Sequence, residues 1–373
     1  MSEVHLSRRA RLRESCAAGR GPQSPADAVL VSRPANIRYL TGQPPYGAAL
    51  LLGPGGEDTV ISARAEEDDP GRLPSDGLRT AALATVDGDP VLAAAELAAR
   101  AGAAALAVEE HHLTVARHRG LGTAAPGVLL TDLAQSVERQ RVVKDDEEIS
   151  ALRVAAEITD QALGELLESI LVGRTERHLA LELERRLIDH GAEGPAFPTS
   201  VATGANAGLA GHVPTDRRVE EGDFLSVRLG ANYHGYRCQV GRTFVIGTAP
   251  DDWQIELYDL VFSAQRAARE ALLPGTDCAE VDGAARRVLR EAGHSAALGP
   301  ATGHGVGLEI GEDPRLSPAA LGRLDACVPV TVEPGVHLPG RGGVRIDDTL
   351  VVRPQADGGP ELLTITTKEL LAL

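Results

Sequence analysis

No run of about 18 apolar residues occurs in the 373-residue chain, so no membrane-spanning helix is expected. The opening stretch, MSEVHLSRRARLRES, carries arginines but no apolar segment, so it is not expected to act as a secretory signal. Cysteine is sparse. Cys16, Cys238, Cys278 and Cys327 share no C-x-x-C spacing, which points to free thiols in a reducing cytoplasm and away from a disulfide framework or a zinc ribbon. Positive charge is short as well. A net charge of −16 argues against a nucleic acid or an anionic membrane as partner. Lysine is nearly missing, with only Lys144 and Lys368, while arginine and alanine abound, a bias of genomic composition more than of function.

Hydrophobic residues make up 43%, enough for a substantial core, and the length suits two domains. In the first part, Ser7–Ala18 suits an amphipathic helix, Ala28–Val31 a strand, Val91–Ala101 a helix stopping at Gly102, and Ala104–Val108 a strand. Ala48–Leu52 and Asp58–Ile61 read as a hairpin around Gly53-Pro54-Gly55-Gly56. Adjacent side chains such as His111 and His112 point to opposite sides of a strand, and the pair reads as a surface loop. The mixture predicts an α/β domain over residues 1–140.

Past the junction Arg139–Asp146, Asp145 or Asp146 can cap a helix reaching Leu171, with Glu147 and Glu148 in its first turn. A second helix covers Glu176–His190, and two more cover Asp252–Leu272 and Cys278–Ala292. Strands are predicted over Ala326–Glu333, Gly343–Val352 and Leu362–Thr366. Between them lies Phe224–Thr243, FLSVRLGANYHGYRCQVGRT, where Leu225, Val227 and Leu229 alternate with Ser226 and Arg228. That period of two, with turn chemistry at Gly230-Ala231-Asn232, predicts a β-hairpin carrying Arg228 on one run and Gln239 on the other.

The hairpin resembles the metal-binding hairpin of the aminopeptidase P/prolidase/creatinase family, in Leu229-Gly230-Ala231, Tyr233, Gly235-Tyr236 and Arg242-Thr243-Phe244. Other family phrases match in order: Asn36-Ile37-Arg38-Tyr39-Leu40-Thr41-Gly42, the Arg141–Ile149 junction, Phe197–Asn206, Thr302–Leu308, Val332–Gly335 and Gly343–Thr349. The resemblance spans Leu12 to Leu363. It implies an α/β N-terminal domain plus an α+β "pita-bread" C-terminal domain over residues 141–373. It also implies a dinuclear metal site with two aspartates, one histidine and two glutamates as ligands. The aspartate positions fall on Arg228 and Gln239, while His304, Glu333 and Asp347 occupy the other three. A histidine that the family places seven residues after the ligand histidine falls on Gly311, beside Glu312.

Charge decides what such a pocket can take. Glu333, Asp347 and Arg228 sum to −1, too little to offset two dications, and a guanidinium repels them. Arg228 is expected to pair with Glu333 or Asp347 and fill the metal volume, so no cofactor is expected. By analogy with creatinase, the expectation is a metal-independent hydrolase cleaving a C–N bond of a small amidino or peptide-like substrate. His212 would shuttle the proton, with Glu333 and Glu312 as further catalytic carboxylates. Arg228, Gln239, His304, Asp347, Arg345 and Tyr236 would line the substrate. Two alternatives stand beside it. One is an inactive member that binds peptides or protein partners. The other is an Xaa-Pro aminopeptidase or dipeptidase with one metal at His304, Glu333 and Asp347. The family default is a homodimer.

Overall fold

The structure is a computed structural model and describes residues 2–19, 25–42, 47–62, 77–83, 88–169 and 171–373. They form two compact units, 1–141 and 142–373.

The first unit is built on a six-stranded sheet: β1 (Ala28–Val31), β2 (Ala49–Leu52), β3 (Asp58–Ser62), β4 (Leu78–Ala82), β5 (Ala105–Val108) and β6 (Leu129–Asp132), in the order β4-β3-β2-β1-β5-β6. β1 is buried along its whole length, as a continuous apolar run in a central strand must be. It pairs antiparallel with β2 and parallel with β5. Helices α1 (Ser2–Ala17), α2 (Pro34–Thr41), α3 (Pro90–Arg100), α4 (Val115–Ala124) and α5 (Ser136–Arg141) complete the unit. Val91, Ala94, Ala95 and Ala98 of α3 recur at helical spacing and pack on Leu30, Leu51 and Leu106 of the sheet. Asp89 caps that helix through Val91 N at 2.9 Å, with Pro90 at its first position. His111 and His112 are both exposed, and His111 Nε2 lies 2.9 Å from Glu138.

The second unit opens with α6 (Asp146–Leu167) and α7 (Glu176–Asp189). Asp145 is the cap of α6, in a reciprocal capping box with Glu148. The strands follow: β7 (Gly194–Pro195), β8 (Ser200–Thr203), β9 (Phe224–Leu229), β10 (Ala231–Tyr233), β11 (Tyr236–Arg237) and β12 (Val240–Val245). Helices α8 (Asp252–Ala271) and α9 (Cys278–Glu291) come next. The chain ends with β13 (Gly303–Val306), β14 (Ile310–Leu316), β15 (Pro329–Val332), β16 (Gly335–Leu338), β17 (Gly342–Arg345), β18 (Asp348–Val351) and β19 (Glu361–Leu362).

Alternation along β9 divides the core. Leu225, Val227 and Leu229 join Leu152, Leu163 and Leu183 of α6 and α7. Phe224 joins Leu257 and Val261 of α8, Val281 of α9, and Val330 and Val332 of β15. Two helix pairs thus pack on strands in an α+β arrangement.

The central hairpin differs from its sequence reading. β9 does pair with β12, with Arg228 opposite Gly241. The reversal, however, is not at Gly230. The chain turns at His234-Gly235, both in the left-handed region (φ 48° and 80°), between the short strands β10 and β11. The run Gly343–Val352 is two strands, because Asp347 leaves the ladder. Its N–H donates to Gly241 O at 2.9 Å and its carbonyl accepts from Gly241 N at 3.1 Å. Leu362–Thr366 shrinks to Glu361–Leu362, since the amides of Ile365 and Thr366 donate to the Asp160 carboxylate at 2.7 and 3.0 Å.

Candidate functional site

Strand ends of the second unit converge on one polar cluster. β9 supplies Arg228, the residue before β12 is Gln239, β13 carries His304, Glu333 follows β15, Arg345 ends β17, and Asp347 precedes β18. Gln239 and Asp347 are fully buried. Gly241 is required where β12 passes the cluster, because a Cβ there would lie 2.5 Å from Asp347 Cγ.

Arg345 is the hub. Its Nε donates to Asp347 Oδ1 and Oδ2 at 2.8 and 2.9 Å, and its Nη2 donates to Glu333 Oε2 at 2.6 Å. The Gln239 amide donates to both carboxylates too, at 2.5 Å to Glu333 Oε2 and 2.8 Å to Asp347 Oδ2. Carboxylate oxygens only accept, so the Gln239 NH₂ must face them, which leaves its Oε1 buried without a partner. His304 Nδ1 sits 3.1 Å from Gly305 O and so carries the proton, while its Nε2 lies 3.8 Å from Glu333 Oε1.

Arg228 is not where the sequence reading put it. Among the described residues it makes no ion pair with Glu333 or Asp347; its guanidinium lies over the Phe197 ring, 4.7 Å from the centroid, and its buried Nε has no partner. Arg345 and Gln239 already occupy Glu333 Oε2 and Asp347 in its place. The charge sum changes accordingly. With Arg345 included, two guanidiniums face two carboxylates and the cluster is neutral.

The electrostatics follow the burial. Burial disfavours charge on Arg345, but Asp347 and Glu333 overcome this and hold it above the usual arginine range. Burial raises the Asp347 carboxyl, outweighing the pull of Arg345. Burial works on Glu333 in the same direction, yet Arg345, His304 and Arg228 hold that carboxyl low. Burial, followed by the like charge of Arg345, depresses Arg228.

The residues present do not fit the dinuclear site that the family implies. Two ligand positions hold a guanidinium and an amide. Of the residual set, Asp347 gives both oxygens to Arg345, and among the described residues no group of three or more His, Cys, Asp or Glu is placed to hold a metal ion.

The other candidates hydrogen-bond to partners outside this cluster. His212 Nε2 meets Glu176 Oε2 at 2.8 Å. Glu176, fully buried at the start of α7, also accepts from Thr203 N, Asn206 Nδ2, Thr215 N and Thr215 Oγ1 at 2.7–3.0 Å. Burial opposes its charge, but the bonds from Thr215, Asn206 and His212 hold its carboxyl low. Sequence reasoning missed Glu176, since a glutamate after a capping threonine reads as a solvated first-turn residue. Glu312 pairs with Lys144 at 2.5 Å, both nearly buried, and so is tied up in a salt bridge. The Tyr236 hydroxyl donates to Glu148 Oε1 at 3.0 Å. Beside Phe197, an open cleft of about 790 Å³ is lined by Glu184, Pro198, Arg237, Glu309 and Ile310.

Comparison with known proteins gives this site its context. Residues 150–354 match the model of metallopeptidase family M24, and residues 8–143 match the Creatinase/Prolidase N-terminal domain. The chain is 31% identical over 345 residues to a Xaa-Pro dipeptidase of Pyrococcus furiosus, covering 92% of this chain and 95% of that protein. A solved Xaa-Pro dipeptidase from Bacillus anthracis superposes with a TM-score of 0.91 at 29% identity, over 99% of this chain and 100% of that one. The prolidase from Pyrococcus horikoshii OT3 gives 0.86 at 29% identity, over 98% and 99%. These relatives overturn the expectation of a metal-independent, creatinase-like hydrolase with His212 as its proton shuttle: they are named for Xaa-Pro dipeptides.

Proposed function

The chain belongs to metallopeptidase family M24, with a Creatinase/Prolidase N-terminal domain before a pita-bread C-terminal domain, and on that premise we propose that it binds Xaa-Pro dipeptides. The ligand class comes from the relatives; the mode of action comes from the cluster. The observation that carries the proposal is that Arg345 and Gln239 each donate to both Glu333 and Asp347. A pocket whose two carboxylates are already neutralised holds a neutral or zwitterionic ligand at less electrostatic cost than two dications. The chain thus keeps the family's scaffold and ligand class, and it binds without two-metal hydrolysis. A cytoplasmic homodimer belongs to the same reading. Among the described residues no helix is long and apolar enough to cross a membrane, and all four cysteines are free.

Calorimetric titration with Ala-Pro and Gly-Pro, against Ala-Ala and Gly-Gly, tests this. Binding selective for the prolyl dipeptides, with no cleavage in Mn²⁺, Co²⁺ or Zn²⁺, is expected. Equal affinity for the non-prolyl peptides, or no binding, would overturn it. A second reading, a dipeptidase with a single metal at His304, Glu333 and Asp347, is favoured by the names of the relatives and by His304 Nε2 lying 3.8 Å from Glu333. It requires Arg345 to release Asp347. Metal-dependent cleavage of Gly-Pro, lost in Glu333→Gln, would establish it.

A further inference from the structure

We infer that Arg228 receives the free carboxylate of a small zwitterionic ligand at the position where the family holds its metal ions. The inference rests on the reading of this cluster and its neighbouring cleft as the ligand site. It starts from two unmet groups in one place. The Arg228 Nε is a buried donor without an acceptor, and the Gln239 Oε1 is a buried acceptor without a donor. Buried polar groups are rarely left so, and here they are complementary. Among the described residues neither is met by the local carboxylates, of whose oxygens only Glu333 Oε1 accepts no hydrogen bond. Glu333 Oε2 and Asp347 are taken by Arg345 and Gln239, and Gln239 Oε1 accepts only.

The guanidinium is positioned for this. It lies over the Phe197 ring, 4.7 Å from the centroid, while its buried Nε has no partner. Phe197, which the guanidinium overlies, is also one of the residues lining the open cleft of about 790 Å³, and this shared ring links the arginine to ligand-sized space. A planar, two-oxygen anion matches a guanidinium edge. Charge selects a monoanion. The cluster is neutral with Arg228 and Arg345 against Glu333 and Asp347, so a carboxylate brings it to −1 and a phosphate dianion would bring it to −2 beside two carboxylates. An amine or amide N–H on the same ligand would meet Gln239 Oε1 and the Glu333 Oε1 edge. An amino acid or a dipeptide carries both groups.

The test is calorimetric titration of the full chain with Gly-Pro, with its C-terminal amide and with acetate, on wild type, Arg228→Gln and Arg228→Lys. The expected result is that Gly-Pro binds wild type and that both amidation and Arg228→Gln weaken it about tenfold or more. Arg228→Lys, which keeps the charge and loses the fork, falls between. If Gly-Pro and its amide bind alike and Arg228→Gln changes nothing, the carboxylate inference is overturned while the dipeptide reading survives. If acetate binds in an Arg228-dependent way and Gly-Pro does not, the inference stands and the dipeptide reading falls. No binding of any probe overturns both. Should Arg228→Gln fail to fold, the amide comparison on wild type and the Arg228→Lys titration decide the matter.

Discussion

Replacing Arg345 with methionine removes the cation on which two buried carboxylates converge. Three contacts go: the pair from Nε to Asp347 at 2.8 and 2.9 Å, and the one from Nη2 to Glu333 at 2.6 Å. Arg228 remains within electrostatic reach but bonds neither carboxylate, and Gln239 offers only a neutral amide. Breaking a buried pair by deleting one partner costs about 3–5 kcal/mol, because a buried charge is left behind. That loss is expected in urea unfolding at neutral pH. Its pH dependence is fixed by sign. Without Arg345 both carboxyls lose the cation that holds them down most, so their folded-state pKa values move up from those of wild type. A variant whose folded-state pKa values lie above those of wild type loses stability relative to wild type as pH rises through them. The deficit of the variant should therefore be largest at neutral pH and shrink in mild acid. A loss below about 1 kcal/mol, as an exposed pair would give, would refute the hub role of Arg345, and so would a deficit that grows in acid.

Further outcomes follow from the same packing and hydrogen bonding. Gly230→Ala would put a Cβ 2.0 Å from Cys238 O, a backbone atom that cannot step aside. A destabilisation of about 1–3 kcal/mol or more is expected, read as a lowered Tm, and an unchanged Tm would contradict the close approach. Glu176→Ala strips five hydrogen bonds at the His212 loop, and a loss of at least about 2 kcal/mol is expected by chemical denaturation. Because the folded Glu176 carboxyl is held low, its contribution is present above the ordinary glutamate range and fades as pH falls through the folded value. The unfolding curves of variant and wild type should accordingly approach each other in acid, and a gap that widens there would contradict the assignment.

Much of the fold was legible because it depends on local signals. The alternation of Leu225, Val227 and Leu229, the cap at Asp145 and the apolar stripe of α3 are each visible within a short window. What was not legible depended on contacts far apart in sequence. Asp347 breaks a predicted strand because it bridges Gly241, more than a hundred residues away, and Asp160 ends the last strand from 205 residues away. The candidate site shows the same division. The positions of Arg228, Gln239, His304, Glu333 and Asp347 could be read from ordered motifs, and five of the six cluster residues were singled out for their ligand places. The pairing could not be read. Arg345, passed over in the charge sum, makes the ion pairs expected of Arg228, because only the folded register shows which guanidinium reaches the carboxylates first. Glu176 escaped notice for a related reason: its burial comes from a loop around residues 203–215, not from its own helix.

The most direct measurement is the metal content of protein purified without chelator and then offered Mn²⁺, Co²⁺ and Zn²⁺, read by mass spectrometry beside an Arg228→Asp/Gln239→Asp double variant. Those two changes move the cluster from neutral to three negative charges, restoring the carboxylates that two dications need. Wild type is expected to stay well below one metal per chain while the double variant loads. Near-stoichiometric metal on wild type would contradict the claim that Arg345 and Gln239 have closed the metal position.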